Sequence, residues 1–142
     1  MLHLETEGDV RVASTVLGAA TALFGLWPVL APRSFARVFG LSTQGGPTSE
    51  LAVRSTGVRD LVMGAGLVSA AIHGGRIGPW LLARLLVDGL DGAAVGLTLV
   101  RDGGGNRQLA LLGLLAAGAA AVDAALWWAA KVIVDPAPLD EF

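Results

Sequence analysis

An all-α, up-and-down bundle of four transmembrane helices is the fold this sequence predicts, on three observations. The chain is 54% apolar and 15% charged, with a mean hydropathy of +0.65, well above what water-soluble domains carry. The apolar residues fall into four runs, each of about 20 residues, enough to cross a hydrocarbon core about 30 Å thick at ~1.5 Å per residue. Between the runs lie short segments rich in Gly, Pro and charge. At 142 residues there is room for one domain, so residues 1–142 read as one integral membrane unit with helices at about 12–31, 51–72, 79–100 and 109–130.

Met1 to Arg11 carries Glu5, Glu7 and Asp9, lacks the basic start of a secretory signal, and reads as a polar tail in which His3 is solvated. The first run, Val12 to Ala31, is uncharged and has no small-residue cleavage site, which marks an uncleaved anchor; Pro28 falls in its last turn, where a break costs little. Phe35, Val38, Phe39 and Leu41 then alternate with Arg33 and Arg37, the pattern of a short amphipathic segment lying on the membrane surface. Ser42 to Pro47 is a loop. The second run starts after Glu50, well placed at a positive helix N-terminus, and stops at His73-Gly74-Gly75. The third extends from Pro79 to Val100. The glycines of the following loop, Arg101 to Gln108, supply flexibility, since no Lys-Ser/Thr follows to complete a phosphate cradle. The fourth run closes on Trp127, Trp128 and Lys131, an aromatic and cationic interface anchor. The short connections predict that the second, third and fourth helices are successive antiparallel neighbours.

The charge pattern narrows the function classes. A net charge of -2 offers nothing to nucleic acid, and the absence of cysteine excludes disulfides, thiolate metal sites and thiol redox chemistry. Lys131 stands alone beside nine arginines, a usage typical of GC-rich bacteria, so the expected location is a bacterial inner (plasma) membrane. Arg11, Arg76 and Lys131 flank the side of the termini and Arg33, Arg37, Arg101 and Arg107 the other, which leans toward termini outside.

The informative residues are the charges inside the runs. The second carries Arg54, Arg59 and Asp60, the third Arg84, Asp88 and Asp91, and the fourth Asp123. A charge at mid-bilayer costs roughly 2.5 to 3.5 kcal/mol on insertion scales, so these residues are expected to face one another. Counting from the middle of each run puts Asp60, Asp88 and Asp91 within about 3 Å of the midplane and Arg59 and Asp123 within about 5 Å, while Arg54 lies about 11 Å out and can snorkel. Trp80, Arg84, Asp88, Asp91, Val95 and Thr98 form one helical stripe, with Arg84 and Asp88 spaced for an ion pair. Asp60 shares a face with the small residues Gly57, Gly64 and Ala71, where a neighbouring helix can approach closely; Asp123 shares one with Ala116, Ala119, Ala120 and Trp127.

Setting Arg54 aside, four aspartates meet two guanidiniums. Arginine keeps its proton, so at least one aspartic acid is expected to be protonated at neutral pH, able to serve as a general acid or a proton carrier. A network that merely fixes helix register would leave a similar trace, but such a network rarely needs more acids than bases. Trp27, Trp80, Trp127 and Trp128 read first as interface belt residues, with Trp80 and Trp127 also candidates to line a binding site beside Asp123.

Two resemblances follow. Asp88-Gly89-Leu90-Asp91-Gly92 resembles the opening D-x-x-D-G of the CDP-alcohol phosphotransferases, whose aspartates hold divalent metal, but Val95-Gly96 stands where that motif continues and no second acidic segment follows; membrane prenyltransferases share the Asp pair with the same departure. No metal and no cofactor is therefore expected. Over roughly Val12 to Ala130 the chain resembles a domain-of-unknown-function family of small four-helix membrane proteins, found mainly in actinobacteria and fungi and loosely like the DoxX type. The residues that carry this are Ala31 to Leu41, Gly57-Val58-Arg59-Asp60-Leu61, and Arg84 to Asp91. The likeness implies the fold and weight on Arg59, Asp60 and Asp88, and brings no activity with it.

The leading expectation is acid-base chemistry, such as isomerisation or cyclisation, on a bound lipophilic small molecule, or binding of it alone. Asp60 or Asp88 would donate the proton, Asp91 would share the site, and Arg59 and Arg84 would hold the conjugate carboxylates and any developing anion. The alternatives are a proton-coupled transporter or channel subunit, which four short helices could form only as a homo-oligomer, and an accessory subunit of a membrane complex. Membrane lipid and a lipophilic molecule are the expected partners. A closed apolar cavity beside Asp60 would favour an enzyme or binder.

Overall fold

The computed structural model describes residues 5–135, all helix and connections, with no strand among them. Five α-helices follow in order: α1 (Glu7–Leu30), α2 (Pro32–Val38), α3 (Pro47–Ile72), α4 (Gly78–Arg101) and α5 (Arg107–Ala129), with a π-helical turn at Ala130–Val134. Residues 1–4 of the expected tail, His3 among them, lie outside the described residues, and Glu7 to Arg11 belong to α1. Thr6 caps α1 by accepting from the Asp9 N–H, while the Asp9 carboxylate accepts from the Thr6 N–H at 3.0 Å, a reciprocal box that starts the helix a turn and more before the apolar run.

Each boundary has a local cause. Ala31 separates α1 from α2, with Pro32 at the head of α2, where a missing N–H is harmless. Pro47 starts α3 a full turn before the expected Leu51. His73 closes α3, and Gly74 follows at φ 71°, a left-handed conformation that suits glycine. Asn106 caps α5 through the Leu109 N–H at 3.0 Å. After the π turn, the Asp135 carboxylate accepts from the Gly78 N–H at 2.9 Å, placing an anion on the positive end of α4.

The helices pack as two close pairs, α1 with α3 and α4 with α5, and the pairs touch each other sparsely. This corrects the expected order: α3 is the partner of α1, not of α4. The reason is a four-glycine seam. Gly18 faces Gly64 and Gly25 faces Gly57, so the two backbones approach until a Cβ on Gly25 would lie 2.7 Å from the Gly57 carbonyl oxygen and 2.9 Å from the Leu61 nitrogen.

Two clusters join the pairs, one at each end. At the end where α1 starts and α5 finishes, Val10, Leu67, Ala71, Ile77, Leu81, Leu126 and Ala130 bury one another across all four long helices. At the other end α2 has the expected amphipathic character, with Arg33 and Arg37 exposed and its aromatic face turned onto the bundle. Phe35, Ala36 and Phe39 are buried against Val53, Trp27 and Leu112, and the Phe35 and Phe39 rings stand 4.7 Å apart. Two helices, Glu7–Leu30 and the run Arg107–Val134, are long and apolar enough to cross a membrane. α3 and α4 have the length, but each carries three of the internal charges.

Candidate functional site

Between the clusters the pairs stand apart and leave a cavity of about 700 Å³. Leu17, Phe24, Phe35, Val53, Leu112 and Leu115 give it apolar walls, and Arg59, Asp60, Arg84, Asp88 and Asp91 give it charge. It is built by the same seam that joins α1 to α3: with α3 drawn against α1, the charged face of α4 looks into open space.

The charges form two triads of one arginine and two aspartates. Arg59 bridges the gap between the pairs. Its Nη1 and Nη2 donate to the two oxygens of Asp91 on α4 at 3.2 and 2.7 Å, a fork-to-fork pair, while Nε and Nη2 donate to Asp60 Oδ1 at 3.2 and 3.1 Å. Arg84 turns instead toward α5, donating from Nε and Nη2 to the two oxygens of Asp123 at 2.9 and 3.3 Å. Its Nη2 also lies 3.5 Å from Asp88 Oδ2, the expected pair one turn along α4.

The triads differ in depth. The side chains of Arg84 and Asp123 are 4% and 0% exposed, whereas those of Arg59 and Asp91 are 32% and 42% exposed. The first, around Arg84, is a buried crosslink within the α4/α5 pair, with Arg84 and Asp88 as the members that reach the cavity. The second spans its mouth between α3 and α4. Asp88 also lines a shallower recess on the α4/α5 surface among Gly89, Gly92, Gly96 and Gly113.

Of the residues singled out in the sequence, the structure brings Arg59, Asp60, Arg84, Asp88 and Asp91 to one cavity and puts Asp123 behind Arg84, out of it. Trp80 and Trp127 do not line it. The Trp80 ring packs onto Gly66 of α3, a gap that only a glycine leaves, and Trp127 joins the same end cluster with Lys131 Nζ 5.4 Å above its ring. Arg54 is exposed, as expected of a side chain that can snorkel, and donates to the carbonyl of Val29, in the last turn of α1 where carbonyls lack helical partners. Sequence reasoning missed Thr21, Ser49 and Thr56 on the cavity wall. Glu50, read as a helix-end charge, also pairs with Arg33 at 2.6 Å and ties α2 to α3. The signal for the glycine seam was present, in the seven-residue spacing of Gly18 with Gly25 and of Gly57 with Gly64.

Fold and site together define a small all-helical protein with an arginine–aspartate network lining an open-mouthed cavity between its helix pairs. Residues 18–134 match the family model described as Domain of unknown function (DUF4267), and the chain belongs to that family. No curated protein and no solved structure matches it.

Proposed function

We propose that the four long helices cross a lipid bilayer and that the cavity binds a lipophilic small molecule, on which Asp88 or Asp60 performs acid-base chemistry such as isomerisation or cyclisation. The observation that carries this reading is the cavity: about 700 Å³ of mostly apolar space with carboxyl groups on one wall, within the usual size and character of a small-molecule site. Asp88 is the favoured donor. Asp123 takes both strong bonds of Arg84, so in that triad the carboxyl without a committed guanidinium is the one facing the cavity.

The membrane part rests on what the helices leave uncovered. Val12, Val16, Leu23 and Leu30 on α1, Leu86, Leu90, Leu97 and Val100 on α4, and Leu111 and Leu114 on α5 all point outward. Only 22% and 17% of the apolar stretches of the two most apolar helices are buried, whereas the core helix of a water-soluble protein is mostly buried. The internal charges of α3 and α4 suit a bilayer because Arg84 is buried against Asp123 while Arg59, Asp60 and Asp91 pair with one another at the cavity mouth. The protein is expected to sediment with membranes and to come into solution only with detergent; recovery as a monodisperse species from a detergent-free fraction would overturn this part.

The binding part is tested by mass spectrometry of molecules that copurify in mild detergent. Ala94→Trp fills the cavity from an exposed position on α4 and is expected to abolish a bound species that the unaltered chain retains, with unchanged helical circular dichroism. Identical copurifying molecules in both would sink the reading. A proton-coupled transporter subunit is the second reading, favoured by the position of Asp88 on both the cavity and the outer recess.

A further inference from the structure

We propose that the ligand of this cavity is an organic cation, a lipophilic molecule bearing an ammonium group, which takes the place of the Asp88 proton. The inference rests on the lipophilic-ligand reading above and adds the charge of the ligand.

The first step is donor accounting. Four of the five N–H donors of Arg59 already point at Asp60 and Asp91, and Arg84 is turned to Asp123 and Asp88. An anionic ligand would have to displace a carboxylate to reach either guanidinium, and would enter a site where acids already outnumber bases. That runs against the expectation that the arginines hold a developing anion. A neutral ligand would leave the acid surplus as it is. A cation resolves it: an ammonium beside Asp88 gives the second carboxylate of the Arg84 triad a counter-charge.

A metal ion would resolve it too, but among the described residues no group of three acidic or histidine side chains converges on one point. The cation must therefore bring its own apolar bulk, for which the walls of Leu17, Phe24, Phe35, Leu112 and Leu115 are suited. The charged groups facing Asp88 are Arg59 and Asp60 from α3, Arg84 and Asp91 from α4, and Asp123 from α5; α1 and α2 present Leu17, Ala20, Thr21, Phe24 and Phe35, none of them ionisable.

The proton balance has two forms. A neutral amine takes the proton from Asp88: an N–H bond forms, an O–H bond breaks, and the ion pair remains with no net release. A quaternary ammonium cannot accept it, so its binding expels one proton to water.

The test uses the full chain in lipid nanodiscs, with empty discs and the Ala94→Trp protein as controls for partition into lipid. Decyltrimethylammonium, 1-decanol and decanoate share an apolar tail and differ in charge. Titration calorimetry in buffers of different ionisation enthalpy counts the protons. Expected is binding of the ammonium at least about tenfold tighter than of decanol, decanoate weakest, about one proton released per ammonium, and an affinity rising up to about tenfold per pH unit while Asp88 remains protonated. Asp88→Asn should abolish the proton release and the preference for the cation while decanol still binds. Equal binding of ammonium and decanol, or preference for decanoate, overturns the cation and leaves the lipophilic cavity standing. Binding of none of the three above the controls removes the lipophilic-ligand reading itself. The proton count is made on the unaltered chain and is therefore independent of whether the variant folds.

Discussion

Asp123→Asn is expected to destabilise the protein by about 3 to 5 kcal/mol, because it leaves a buried guanidinium without its counter-charge. Arg84 and Asp123 are sealed from solvent and share two hydrogen bonds across the α4/α5 contact. An asparagine keeps the shape but offers one carbonyl oxygen and no charge. Asp88→Asn is expected to behave differently, with melting close to that of the unaltered chain, since Asp88 contacts the same guanidinium at 3.5 Å from a cavity wall and a neutral amide resembles a protonated carboxyl in size. Thermal unfolding of both variants in the same detergent measures the contrast. A carboxylic acid C=O infrared band present in the unaltered protein and lost in Asp88→Asn would place the surplus proton on that residue. Equal destabilisation by the two substitutions, with no such band, would reduce the triad to a packing device.

The second large effect is expected at the glycine seam. Gly57→Val should separate α1 from α3 and cost about 3 kcal/mol or more, the upper part of the range for overpacking, because what it meets is backbone and ring that cannot swing away. A Cβ at that position would stand 2.5 Å from the Gly25 carbonyl oxygen, 2.7 Å from Pro28 Cγ and 2.8 Å from Val29 Cγ2. Gly96→Ala and Gly118→Ala are the controls: a Cβ there meets nothing within 4 Å, and alanine suits a helix better than glycine, so both should melt at or slightly above the unaltered temperature. A cysteine pair placed across the α1/α3 contact would report the separation by loss of crosslinking. Unchanged melting and crosslinking in Gly57→Val would show that the seam does not hold the pair together.

The helices were legible residue by residue. The long apolar runs, the stops at Gly74 and at the Gly103-Gly104 turn, and Pro79 at the start of α4 are local features, and a local pattern states them without reference to anything distant, whereas Pro47 was read as loop and begins α3. Arg84 and Asp88 were legible as a pair for the same reason, being one turn apart on one helix. The start of α1 was misread because charge near a terminus looks like a tail until Thr6 and Asp9 are seen as a capping box.

What the sequence by itself determined is that this chain makes long helices and that the charges inside them must find one another, because an apolar surrounding leaves an unpaired charge too costly to keep. Only the tertiary structure decided the partners. Loop length limits how far apart two helix ends can be, but the choice between faces is a matter of shape. The closest fit available to α3 was the glycine seam of α1, two connections away in the chain, and not the adjacent α4. That one non-local match sets the pairs apart, opens the cavity, and leaves Arg59 to reach across it to Asp91 while Arg84 turns inward to Asp123. Trp80 was diverted by the same cause, since a gap at Gly66 on a facing helix cannot be read from the helix that fills it.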